Sequence, residues 1–130
     1  MPLLSLVAAT VAGMILGTVW YLPQVLGNVW MHLAHISHET LKSRDPKMPM
    51  LITLGSTFVT SFLLAVCTIA FRVTLARQAL ALAIILSLLF ALVRLPHTLF
   101  EGRSIKLYLF YTAYDSASIL LMTLVLSLWR

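Results

Sequence analysis

Asp115 sits near the centre of LYLFYTAYDSASILLM, residues 107 to 122, the one acid in an otherwise uncharged run. A carboxylate in apolar surroundings can take a proton from water or from a substrate hydroxyl. The reaction needs a second group to protonate the leaving oxygen. Glu101 and Tyr111 are the candidate donors, and Arg94 is long enough to bridge the two acids. Around them stand Trp20, Tyr21, Gln24, Asn28, His97 and Tyr114 as candidate substrate-binding residues, with Gln24 and Asn28 placed to hold water. Opening of an epoxide, by hydrolysis or by cyclisation, suits this set and requires no cofactor and no metal.

The histidines offer a different chemistry. His32, His35 and Glu39 follow a spacing of i, i+3 and i+7, which would put them on one helix face. A zinc site needs three or four converging ligands with supporting partners, and this spacing matches no strong metal motif. The set is read as an interfacial helix with titrating histidines.

Membrane segments must position these groups. Of 130 residues, 61% are hydrophobic and 10% charged, against about 25% charged in an average soluble domain. Mean hydropathy is +0.99. Residues 1 to 31 carry no charged side chain; Met48 to Phe71 and Gln78 to Val93 are likewise uncharged, and Leu107 to Trp129 is broken only by Asp115. About 20 apolar residues cross a bilayer core. The third run reaches that length if the helix continues through Arg94 to Phe100, with Arg94 snorkelling or facing inward. The expectation is an all-α membrane protein: four transmembrane helices forming a single domain over residues 1–130, with a short interfacial amphipathic helix between the first and second. The first segment lacks a basic start and is too long for a signal peptide's apolar core, so it is read as a retained helix.

The net charge of +5 does not imply nucleic acid, because the basic residues punctuate helix ends. Lys42, Arg44, Lys47, Arg94, Arg103 and Lys106 fall on one side; Arg72, Arg77 and Arg130 fall on the other. The excess places the first side in the cytoplasm and both termini on the non-cytoplasmic side. Lone Cys67 can form no internal disulfide and is read as buried and inert.

Each helix also carries a stripe of small or polar residues, such as Thr53, Thr57, Thr60 and Thr68 in the second. Such stripes serve close helix packing. The helix order brings the end of the first, the end of the third and the start of the fourth to one side. Asp115 lies about 13 Å along the axis from Lys106. An Arg94–Asp115 ion pair, shared with Glu101, is therefore allowed.

GTVWYLPQVLGNVWM at residues 17 to 31 and LFEGRSIKLYLFYTAYD at residues 99 to 115 resemble domain-of-unknown-function family 1761, small four-helix membrane proteins of bacteria and fungi. The matching features are G-x-x-W-Y, G-x-x-W and F-E-G-R, and the resemblance spans essentially the whole chain. Small fungal membrane proteins of this kind resemble accessory enzymes of polyketide and terpenoid pathways, some of which open epoxides. That likeness of size and setting implies a place in natural-product biosynthesis.

Two readings follow. The favoured one is an enzyme acting on a lipophilic small molecule within the bilayer, with Asp115 as base. The alternative is a non-catalytic oligomeric bundle, or a carrier of small solutes or protons, in which Arg94 and Asp115 lock the helices. Four helices enclose little volume, and completion of a site by a homodimer is a further expectation.

Overall fold

The computed structural model describes residues 3–22, 26–37, 39, 43, 47–102 and 104–128. The elements are α1 (Leu3–Trp20), α2 (Asn28–Ala34), α3 (Lys47–Ala70), α4 (Ala76–Glu101) and α5 (Ile105–Leu128). All but α2 are long and apolar enough to cross a membrane. Helices are the natural state of such runs, since an isolated apolar segment in lipid must satisfy its backbone internally. The apolar side chains point outward to match: Ile84, Ile85, Leu88, Leu92 and many others are exposed.

Helix ends follow local chemistry. Gly102 stops α4 in the left-handed conformation, φ 68°, where a side chain would be strained. Arg72 takes the same role after α3: its N–H donates to the Ile69 carbonyl (3.1 Å) and that of Val73 to Thr68 (2.8 Å). This pair of hydrogen bonds is the Schellman arrangement, with Val73 buried behind it. The Gln78 side-chain carbonyl then accepts the N–H groups of Thr74 (2.8 Å) and Leu75 (3.1 Å), capping α4. The turn is tight, so α3 and α4 are antiparallel neighbours there, joined by Cys67, Val73, Ala79 and Leu82. Cys67 is half-buried in this cluster.

The hub is α5, which packs against α1, α2, α3 and α4. Its inward residues Ile119, Met122 and Leu126 meet Leu6 and Ala9 of α1, Leu64 and Ala65 of α3, and Ala83 of α4. Gly13 makes this approach possible: a Cβ there would lie 3.0 Å from Met122 Sδ and 3.1 Å from Thr57 Cγ2. Away from their shared turn, α3 and α4 separate, and α5 forms the floor of the gap.

The segment joining α1 to α3 contains the expected short helix, α2. The helix Asn28–Ala34 ends where His35 turns left-handed at φ 57° and caps it. The His32, His35 and Glu39 spacing therefore does not lie along one helix. Among the described residues no group of three His, Cys, Asp or Glu side chains could hold a metal.

Candidate functional site

Arg94 and Asp115 meet, as the helix order allows. Nη1 of Arg94 donates to Oδ2 of Asp115, tying α4 to α5. Arg94 lies seven residues before the end of α4, and Asp115 ten residues into α5, so the carboxylate is about 15 Å below the hairpin that joins them. That is half of a hydrocarbon core of about 30 Å.

Two features of α4 prepare this meeting. Pro96 stands inside the helix, where it has no N–H to donate and its ring crowds the carbonyl four residues earlier. One turn away, the Tyr108 hydroxyl of α5 donates to the Ala91 carbonyl. Arg94 lies between these two points on the chain and is held against α5.

Neither member of the pair is sealed. Their side chains retain 36% and 41% exposure, and each lines a different cavity. On the Arg94 side, a cavity of about 230 Å³ is walled by His97, Thr98 and Glu101 of α4, and by Ser104, Leu107, Tyr108 and Tyr111. It opens beside the α4–α5 turn, where Glu101 and Ser104 are exposed. On the Asp115 side, a groove of about 360 Å³ lies between α3 and α4. Its walls are Thr53, Ser56, Thr57 and Thr60 of α3 and Phe90 of α4, over Tyr114, Asp115 and Ser118. Among the described residues none lines both cavities.

An aromatic cluster supports the pair from the α1 side. Tyr21 packs edge-on against Trp30 at 5.2 Å, Phe110 at 5.9 Å and Tyr114 at 5.5 Å between ring centroids. Trp20 meets Phe110 at 5.9 Å and Tyr114 at 5.8 Å. The Trp30 indole N–H donates to the Tyr111 hydroxyl at 3.0 Å, which fastens α2 to α5 and leaves the Tyr111 proton available to the cavity. Burial pushes the Tyr21 phenol, just past the end of α1, above its ordinary range, so it stays protonated.

Glycines set the spacing of this cluster. A Cβ on Gly17 would meet the Tyr114 hydroxyl at 2.8 Å. On Gly27 it would meet the Tyr21 carbonyl oxygen at 2.3 Å, where the Gly27 N–H donates to the Leu22 carbonyl (2.8 Å). Gly102 closes α4, which ends on Glu101. The described residues of the three sequence signatures, G-x-x-W-Y, G-x-x-W and F-E-G-R, thus lie at one end of one bundle.

The family model described as "Protein of unknown function (DUF1761)" matches residues 4–127. The chain belongs to this family. Searches of curated proteins and of solved structures returned no match.

The nominated residues divide into three groups. Arg94, His97, Glu101 and Tyr111 share the interfacial cavity, and Tyr114 and Asp115 share the lateral groove. Trp20 and Tyr21 lie behind them as packing for Tyr114, and Asn28 is exposed at the start of α2. Gln24 and Arg103 lie outside the described residues. Sequence reasoning missed Thr53, Ser56, Thr57 and Thr60 as a wall of the groove, having assigned that stripe to packing. The overlooked signal is the number of hydroxyls: small size alone would be met by alanine or glycine. Thr53 and Thr60 donate to Pro49 (2.7 Å) and Ser56 (2.8 Å) carbonyls of their own helix, so each oxygen is left as an acceptor.

Proposed function

We propose that this DUF1761 protein is a small integral-membrane enzyme that opens an epoxide in a lipophilic molecule by acid–base chemistry, in natural-product biosynthesis. The observation that carries the reading is the pair of cavities flanking Arg94 and Asp115. A structural lock needs the ion pair but no space beside it. Here a groove of about 360 Å³, within the range of small-molecule sites, has the carboxylate in its wall.

Asp115 takes a proton from water, or from a hydroxyl of the substrate itself, as that oxygen attacks an epoxide carbon. The carbon–oxygen bond breaks, and its electrons leave with the ring oxygen. Tyr111 or Glu101, in the interfacial cavity, supplies the proton that the oxygen needs, relayed past the Arg94–Asp115 contact by water. Water as nucleophile gives a diol; an internal hydroxyl gives a cyclic ether, with no net change in composition. Asp115 returns its proton to the donor through Arg94-bound water, and the cycle closes. Arg94 holds Asp115 ionised before attack and faces Glu101 across the interfacial cavity.

The basic excess on the α4–α5 turn side supports placing that side in the cytoplasm and the termini opposite. The competing reading, a bundle held by the ion pair alone, draws on the same contact.

The test is turnover of a panel of lipophilic epoxides by the protein in liposomes, in water enriched in ¹⁸O. The expected result is a diol carrying one label, or a cyclic ether carrying none, with Asp115→Asn slower by about 10²–10⁴-fold. Full turnover by both Asp115→Asn and Arg94→Ala would overturn the assignment.

A further inference from the structure

The two cavities differ in where they open. The interfacial one lies between the last turn of α4 and the first turns of α5, with exposed Glu101 and Ser104 at its mouth. These residues flank the α4–α5 turn, at the level where a spanning hairpin meets water. Its polar lining of Arg94, His97, Tyr108 and Tyr111 suits water.

The groove at Asp115 opens sideways. Its lip residues Thr53, Ser56 and Thr60 are exposed and lie six, nine and thirteen residues into α3, about 9–20 Å below the start of that helix. Phe90, the opposite lip, is 50% exposed and eleven residues from the end of α4. Both lips are inside segments long and apolar enough to span the bilayer, so the mouth faces the hydrocarbon core. Arg94 in the wall of one cavity is bonded to Asp115 in the wall of the other.

We propose that Arg94 and Asp115 form a partition between an aqueous vestibule and a lateral port, through which a neutral, membrane-dissolved substrate enters while water arrives from the interface. The inference deepens the enzymatic reading and rests on it for what happens after binding; the two access routes do not depend on turnover. It also defines the substrate class. A molecule reaching Asp115 through the groove must place its reactive oxygen near the middle of the bilayer. An epoxide within a long apolar skeleton fits, whereas one beside a charged headgroup would be held at the interface. The acceptor oxygens of Thr53 and Thr60 and the Tyr114 and Ser118 hydroxyls give such a molecule polar points of registration, beside the apolar surface of Phe90, Ile119 and Met122.

The experiment is collision accessibility of nitroxide labels in liposomes, with Cys67→Ser as background. Ser118→Cys and Thr60→Cys report the groove, and Thr98→Cys and Ser104→Cys the vestibule. Oxygen, which concentrates in lipid, should relax the groove labels at least several-fold more than a neutral nickel chelate does. The vestibule labels should show the reverse order. Ser56→Phe, which narrows the α3 lip, should reduce oxygen collisions at Ser118→Cys and leave Ser104→Cys unchanged. Chelate access to both groove positions would make the groove aqueous and overturn the proposal. So would oxygen preference at both vestibule positions, which would leave water no separate route. Two reporters per cavity keep the result readable should one variant not assemble. An accessibility pattern as expected, with no epoxide turned over, would instead refute the enzymatic reading and leave the port standing.

Discussion

The two halves of this bundle use polar residues in opposite ways. Towards the termini, between α1, α3 and α5, Ser5, Thr10, Ser61, Thr68, Thr123 and Ser127 are all buried, none more than 5% exposed. Thr10 donates to the Leu6 carbonyl at 2.8 Å and lies 3.1 Å from Ser61, and Thr68 bonds to Ala65 of its own helix at 2.8 Å. Among the described residues the Thr123 and Ser127 hydroxyls have no partner. Here the side chains are there for their size, since small residues allow backbones to approach in lipid. Towards the α4–α5 turn the ionisable Arg94, Asp115 and Glu101, with the hydroxyls of α3, border open space. An ion pair at mid-bilayer depth costs more than an apolar contact in its place would. Cavities beside it give that cost a functional reason.

The comparison can be broken first at the ion pair. Arg94→Leu leaves Asp115 without its partner, and should cost about 2.5–3.5 kcal/mol of stability by the cost of placing an isolated acid in a membrane helix. Unfolding in mixed micelles at neutral pH would measure it. A smaller loss would mean that water in the cavities already solvates the acid.

The close-packed half should respond to volume and not to charge. Ser61→Leu, at a position with no exposure, is expected to destabilise by about 1–3 kcal/mol through overpacking. Thr123→Val keeps shape and removes an unpartnered hydroxyl, so stability should rise, by about 1 kcal/mol. Thermal unfolding of each against wild type checks both signs. A loss on Thr123→Val would show that its hydroxyl is bonded in solution and that the halves are less different than they look.

The smallest expected effect belongs to the tie between α2 and α5. Tyr111→Phe deletes the acceptor of the Trp30 indole and should cost about 0.6 kcal/mol, the average for hydrogen bonds between membrane helices. Trp30 emission would shift to the red as α2 loosens. No shift would place the hold on α2 in the Tyr21 ring stack instead.

Legibility in the sequence also differed between the halves. Runs of uncharged residues located all four spanning helices, because lipid allows few alternatives. The Arg94–Asp115 pair was readable for the same reason: a charge at that depth needs a partner, and helix order left one within reach. The groove was not readable. Thr53, Ser56, Thr57 and Thr60 have the spacing of a packing stripe, and whether such a stripe packs or lines a gap depends on how far α3 leans from α4. Nothing local encodes that separation.

The most direct test of the central claim is turnover by Arg94→Leu/Asp115→Leu in liposomes, with its melting temperature measured beside it. Removing both charges replaces the ion pair by apolar contact, which is often neutral or stabilising. The account predicts an intact bundle, melting at or above wild type, with no conversion of an epoxide that wild type opens. A charge-free bundle that still turned over the substrate at the wild-type rate would contradict it.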